Sequence, residues 1–159
     1  MRKEPSNSLS IKALTVWRIT AAMNMAIFFA IIVAFIIVSF IFTLPFWISV
    51  VLLFLWLVLA IFFIGFYPRI QWRRWKYDVF ESEVEIQHGV FFVKRTLVPM
   101  VRVQHVDTVH GPLLRRFKLA SVTISTAATI HEIPALEEEE ADLLRDQISK
   151  LARVVEHDE

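Results

Sequence analysis

The stretch that decides the architecture reads ITAAMNMAIFFAIIVAFIIVSFIF (residues 19–42), TLP (43–45) and FWISVVLLFLWLVLAIFFIGFY (46–67). From Ile19 to Pro68 it contains no Asp, Glu, Lys, Arg or His. At about 1.5 Å per residue and about 20 residues per crossing, a helix of this length traverses the hydrocarbon core of a bilayer twice. Proline is tolerated in the first turn of a helix and disfavoured in its interior, so Pro45 marks the start of a second helix. The pattern predicts two transmembrane helices, 19–42 and 46–67, joined by a short extracytoplasmic turn at 43–45. So tight a connection makes them an antiparallel hairpin. The first segment is too long for a signal-peptide core, and no small-residue cleavage pattern interrupts it, so it is read as retained.

Charge on the flanks sets the orientation. Arg2, Lys3, Lys12 and Arg18 precede the first span against one acid, Glu4, and Arg69, Arg73, Arg74 and Lys76 follow the second with none. Positive charge beside membrane spans is retained in the cytoplasm, and a hairpin requires both flanks to share a side. Both termini are therefore expected in the cytoplasm, with the chain held in the membrane. The expected membrane-interface residues are Trp17, Arg18, Trp47, Arg69, Trp72, Arg73, Arg74, Trp75 and Lys76, with Tyr67 at the same boundary, because amphipathic rings and cations settle at the headgroup level. The basic collars can also hold anionic lipid headgroups, although topology alone accounts for them.

The spans carry little polar chemistry. Asn24, Ser39, Ser49 and Thr43 are their polar residues of note, and no ionisable group lies in either, which argues against transport or proton pumping. Asn24 has two readings, an interhelical hydrogen bond that favours oligomers or a polar group near the cytoplasmic interface.

Beyond the 68–76 junction the periodicity changes to two. Strands are expected at Tyr77–Phe80, Val84–Gln87, Phe91–Val98, through Val101, Val103, Val106 and Val109 with a bulge near His105, at Val122–Ser125 and at Thr129–Ile133. Gly89 and Gly111-Pro112 mark turns. Glu137–Glu140 open a helix whose first-turn acids complement its dipole. Its stripe of Ala141, Leu144, Ile148, Leu151 and Val155 either covers the β-structure or binds a partner. The segment Leu113-Leu114-Arg115-Arg116-Phe117-Lys118 is basic and amphipathic. It either touches the membrane surface or turns its apolar residues into the core.

Composition narrows the function. Of 159 residues 56% are hydrophobic, and there is no cysteine, which excludes disulfides and thiolate metal sites. From Tyr77 on, 9 of the 17 Lys/Arg stand against 15 of the 16 Asp/Glu, a formal net of −6 that makes nucleic acid a poor ligand. The histidines, His88, His105, His110, His131 and His157, form no metal-binding spacing. His105 and Asp107 fall on one face of a strand, which leaves a remote hydrolase reading beside the plainer one of strand-edge polar residues. There is no nucleophile elbow, phosphate loop or dinucleotide fingerprint, and only 3 glycines. No cofactor, metal or catalytic residue is expected.

Three runs together carry a resemblance: Val98-Pro99-Met100-Val101-Arg102-Val103-Gln104-His105-Val106-Asp107, then His110-Gly111-Pro112-Leu113-Leu114-Arg115-Arg116-Phe117, then Leu119-Ala120-Ser121-Val122-Thr123-Ile124-Ser125-Thr126-Ala127. They resemble the bacterial pleckstrin-homology-like domain formerly called DUF304. Two spans, a Trp/Arg junction and this domain over 77–159 resemble, along essentially the whole chain, the YdbS-type membrane proteins of Gram-positive bacteria. Lys118 stands where many relatives carry glycine. The resemblance implies a seven-stranded bent barrel closed by a C-terminal helix. It also implies a non-catalytic scaffold that associates with itself or with a second PH-like-domain membrane protein. Arg102, His105, Arg115, Arg116 and Lys118 are the expected partner or lipid contacts. The phosphoinositide site of eukaryotic relatives does not transfer, because the first hairpin here reads Glu81-Ser82-Glu83-Val84-Glu85 and repels phosphate. Sensing of anionic lipid or envelope stress, with antimicrobial-peptide protection as one form, is the alternative function.

Overall fold

The computed structural model of the chain describes residues 4–157, with side chains described as far as Val154. Arg2 and Lys3 of the basic flank, and the side chains of Val155 and His157, lie outside the described residues. The chain divides into two units, Trp17–Arg69 and a second made of the residues up to Val16 together with those from Ile70 on.

The first unit is helical. Helix α1 (Ile11–Ile41) enters it from the other unit, and α2 (Phe46–Ile61) follows. Helix α1 ends in a left-handed residue, Thr43 with φ 52°, so that the Leu44 N–H reaches the Ser39 carbonyl at 2.9 Å and the last carbonyls are satisfied. Pro45 stands just ahead of α2, its fixed φ of −59° leading into the helix. A π-turn (Phe62–Phe66) then joins α2 to α3 (Tyr67–Arg74). Pro68 explains the turn. It has no N–H to donate, and its ring would press on the carbonyl four residues back in a regular helix. Widening to an i→i−5 bond, Tyr67 N–H to the Phe62 carbonyl, relieves both.

Both helical runs, Ile11–Ile41 and Phe46–Arg74, are long and apolar enough to cross a membrane. Their large side chains face outward, Phe40 at 69% and Phe54 at 67% exposure among them. So much contiguous apolar surface has no stable arrangement in water. Between the helices the contacts are few but specific. Trp56 packs against Phe29 with ring centroids 4.8 Å apart and donates its indole N–H to the Met25 carbonyl at 3.1 Å. Ser39 and Ser49, both buried, meet at 3.3 Å. Asn24 is exposed.

The second unit holds seven strands in two antiparallel sheets. The first sheet is β1 (Asn7–Ser8), β2 (Lys76–Val79), β3 (Glu83–His88) and β4 (Lys94–Pro99), in that order. The second is β5 (Val103–Val109), β6 (Leu119–Thr126) and β7 (Ile130–Glu137). A 3-10 turn at Met100–Arg102 separates them, just after Pro99. The strand ladders therefore do not close into the single barrel that the resemblance implies. The strand inventory differs as well, since β1 comes from the N-terminal segment and no strand covers Phe91–Val93.

Irregular pairing accounts for the bends. The β5–β6 register shifts between Val103 and His105, where the sequence alternation slips. A second shift, between Ala120 and Val122, faces Pro134 and Ala135, the latter in the left-handed region at φ 52°. Proline has no N–H for the ladder, so a bulge is where a strand accommodates it. Helix α4 (Pro112–Arg116) starts at its proline and ends in a turn at Lys118, which adopts φ 54° at the glycine-like position.

Helix α5 (Glu138–His157) packs on β5, β6 and β7, and Ala141, Leu144 and Ile148 of its stripe are buried. That face is used inside the molecule. The core also takes Val84, Ile86 and Val98 from the first sheet, Leu119, Ile124, Ile133 and Leu136 from the second, and Leu9, Ala13 and Val16 from the N-terminal segment.

Candidate functional site

The N-terminal segment clasps the domain. The Ser6 backbone N–H and hydroxyl and the Asn7 amide all donate to the Asp78 carboxylate at 2.8–2.9 Å. Trp72 donates its indole N–H to the carbonyls of Leu9 and Ser10 at 3.2 and 3.0 Å. The Ser10 hydroxyl and Lys12 ammonium reach Glu137 at 2.8 and 3.0 Å. Those hydrogen bonds hold the Glu137 carboxyl below the usual carboxylate range. Lys76 pairs with Glu4 at 3.2 Å.

The residues expected at the membrane interface therefore have different surroundings. In the helical unit, Trp17 and Arg18 are half-buried, while Trp47 and Arg69 are exposed. In the domain unit, Arg73 and Arg74 are exposed and Lys76 is half-buried. Trp72 is held by the N-terminal segment. Trp75 is only 6% exposed and stacks on His88 with ring centroids 6.0 Å apart, so its ring belongs to the domain interior.

Two open hollows mark the domain surface. One, of about 840 Å³, lies between β5 and α5 and is lined by His105, Asp107, Val103, Ser149 and Arg153 among others. His105 and Asp107 share the exposed face of β5, and no hydrogen bond joins them among the described residues. The described residues contain no group of three or more His, Cys, Asp or Glu able to hold a metal ion. The other hollow, of about 490 Å³, sits at the first hairpin and is lined by Glu4, Asp78, Glu83 and Glu85. Its acidic lining disfavours phosphate. Glu85 is 2% exposed and pairs with Arg95, so this buried charge is compensated.

The five expected contact residues are not gathered. Arg102 and His105 lie near the start of β5, whereas Arg115, Arg116 and Lys118 follow its far end, about 20 Å away for a seven-residue strand. All five are exposed, and Leu113, Leu114 and Phe117 of α4 are half-buried.

The sequence reading missed one surface. Phe91 and Phe92, expected in a strand, are 76% and 90% exposed in the loop between β3 and β4. Gly89 at φ +127° opens that loop, and a Cβ there would lie 1.9 Å from the Phe92 carbonyl oxygen. The available signal was a glycine followed by four apolar residues with no alternation. Lys94 and His88 flank the loop, and His131 lies within electrostatic range. Burial, then the charges of Lys94 and His88, push the His131 imidazole below its ordinary value.

The bacterial PH domain family matches residues 14–152. The chain belongs to this family. It is 50% identical over 158 residues, 99% of both chains, to the UPF0699 transmembrane protein YdbS of Bacillus subtilis (strain 168). It is 31% identical over 102 residues to the UPF0699 transmembrane protein YdbT of the same organism, a match that spans 62% of this chain and 19% of that protein. No solved structure gives a significant match. The two apolar helices and the β-rich domain are thus those of a transmembrane bacterial PH domain protein.

Proposed function

We propose that the protein is a non-enzymatic scaffold or assembly subunit of a bacterial membrane complex, anchored by its helix pair with both termini in the cytoplasm. One contrast carries this reading. Among the described residues the helices present apolar side chains outward and offer Ser39 and Ser49 as their buried polar pair, while the hollows at the first hairpin and beside α5 are only partly enclosed. The first feature suits lipid. The second suits a surface that another protein covers more than a site that excludes water from a reaction.

On this reading the units are an N-terminal segment (1–18), two spans (19–42 and 46–67) around a turn at 43–45, a basic junction (68–76) and a cytoplasmic domain (77–159). The two sheets of the domain serve together as its PH-like module, with α5 as the cap. The partner is a second copy or a longer PH-like-domain membrane protein, and the 102-residue similarity to YdbT supports that class.

The test is native mass spectrometry and amine-reactive crosslinking of the full chain, captured in lipid nanodiscs directly from its native membrane. The expected species is a defined complex. A lone monomer in native-like lipid would refute the proposal. Asp107→Ala, which leaves the expected contact His105 in place, should preserve both assembly and function, and loss of function in a folded, normally expressed variant that still assembles would favour the hydrolase reading.

A further inference from the structure

We propose that the β3–β4 tip, Val90-Phe91-Phe92-Val93, inserts into the headgroup–acyl boundary of the same bilayer and fixes the attitude of the domain to the membrane surface. The inference rests on the membrane-anchored reading above and adds a second, non-spanning point of attachment.

Three observations carry it. The first is exposure. Phe91, Phe92 and Val93 are 76%, 90% and 49% exposed in a short loop. The turn at Gly89 folds the chain so tightly that the Phe92 carbonyl oxygen occupies the space of a Cβ. From this tight turn the two rings stand outward rather than collapsed onto the domain. Water disfavours that arrangement, and an apolar surface would stabilise it.

The second is position. Lys76 pairs with Gln87 and His88 with Lys94, so the tip projects from the end of the sheet at which β2 begins. Trp75, stacked on His88, directly follows α3. The tip therefore stands at the end of the sheet where the chain arrives from its second apolar helix, and the β2–β3 turn at Glu81 stands at the opposite end.

The third is charge. Arg73, Arg74 and Lys94 are exposed at this end, whereas the Glu81 end is acidic. An apolar wedge beside cations matches the acyl boundary and anionic headgroups of a phospholipid surface. Phenylalanine has no polar atom to hold it in water, which suits it to the deeper side of that boundary.

The chain has no cysteine, so single sites can be labelled cleanly. Phe92→Cys, Glu81→Cys and Leu55→Cys variants of the full chain would each carry an environment-sensitive fluorophore in nanodiscs of phosphatidylglycerol and phosphatidylcholine. Quenching by lipid-borne nitroxides is then measured at shallow and deep positions. The expected result is shallow quenching at residue 92 several-fold stronger than at residue 81, with deep quenching at residue 55. Equal, aqueous behaviour at 92 and 81 with residue 55 quenched would overturn the tip proposal and leave the anchor standing. A shielded probe at 92 that lipid nitroxides do not quench would overturn it in favour of a second copy as the occupant. An unquenched residue 55 would remove the anchoring reading and this proposal with it.

Discussion

Replacing Leu9 by Ala tests whether the N-terminal segment is a structural part of the domain. Leu9 is 2% exposed, and it lies between β1 and the first turn of α1. Truncating a buried leucine costs about 2–5 kcal/mol, depending on how far the site can collapse. Here the lower end applies, about 2–3 kcal/mol, because β1 is only two residues long at a sheet edge and can release its strain by detaching. As an opening equilibrium that is a factor of roughly 30 to 150. The assay is hydrogen exchange of the full chain in nanodiscs, followed on peptides covering residues 4–10, Lys76–Val79 and β6–β7. Exchange should accelerate by about that factor in the first two, while β6 and β7 keep their protection. Ile11→Ala, at a 69% exposed position, is the control and should change nothing. Unchanged exchange in β1, or equal acceleration of every strand, would refute the reasoning. The first would mean that the clasp does not form, and the second that it does not open separately.

Lys118→Gly should raise the thermal midpoint. It removes a left-handed strain of about 1–2 kcal/mol while adding about 0.5–1 kcal/mol of unfolded-state entropy, for a net gain of about 0.5–1 kcal/mol, and a lower midpoint would contradict the φ of 54°. Arg95→Ala leaves the Glu85 carboxylate buried without its partner and should destabilise by about 1–3 kcal/mol, discounted because Arg95 is partly exposed. Adding Glu85→Gln to it should recover part of the loss in denaturant titrations, and no recovery would argue against a charge origin. The depressed Glu137 pKa predicts a stabilising contribution that is fully present above the ordinary carboxylate pKa. It disappears as pH falls through the lowered folded value. The protection factor of β1, which removes the intrinsic pH dependence of amide exchange, should therefore fall on acidification below that range, and Glu137→Gln should flatten the dependence.

What could be read without coordinates followed periodicity and charge. The uncharged run from Ile19 to Pro68 specifies two spans through the cost of unsatisfied backbone and charge in hydrocarbon, whatever the rest of the chain does. The alternation around Val84–Gln87 and Val122–Ser125 and the glutamate-led stripe of α5 were legible for the same reason, since burial on one face imposes a period. Phe91–Val93 was misread because an apolar run looks alike in a strand and in an exposed loop. Only the positive φ of Gly89, set by closing the hairpin, separates the two.

Local pattern was enough to specify two apolar helices and a small β-rich domain, and the runs from Val98 to Ala127 carried the family likeness. The tertiary structure decided what those elements meet. Asn7 and Ser8 form a strand although nothing in their types demands one, because β2 presents an open edge and Asp78 collects donors from Ser6 and Asn7. Trp72 and Trp75, alike in sequence as boundary tryptophans, divide between a carbonyl clamp and a ring stack for reasons found 62 residues away and in β3. Contacts so distant along the chain leave no local period or composition, so only the folded molecule records them.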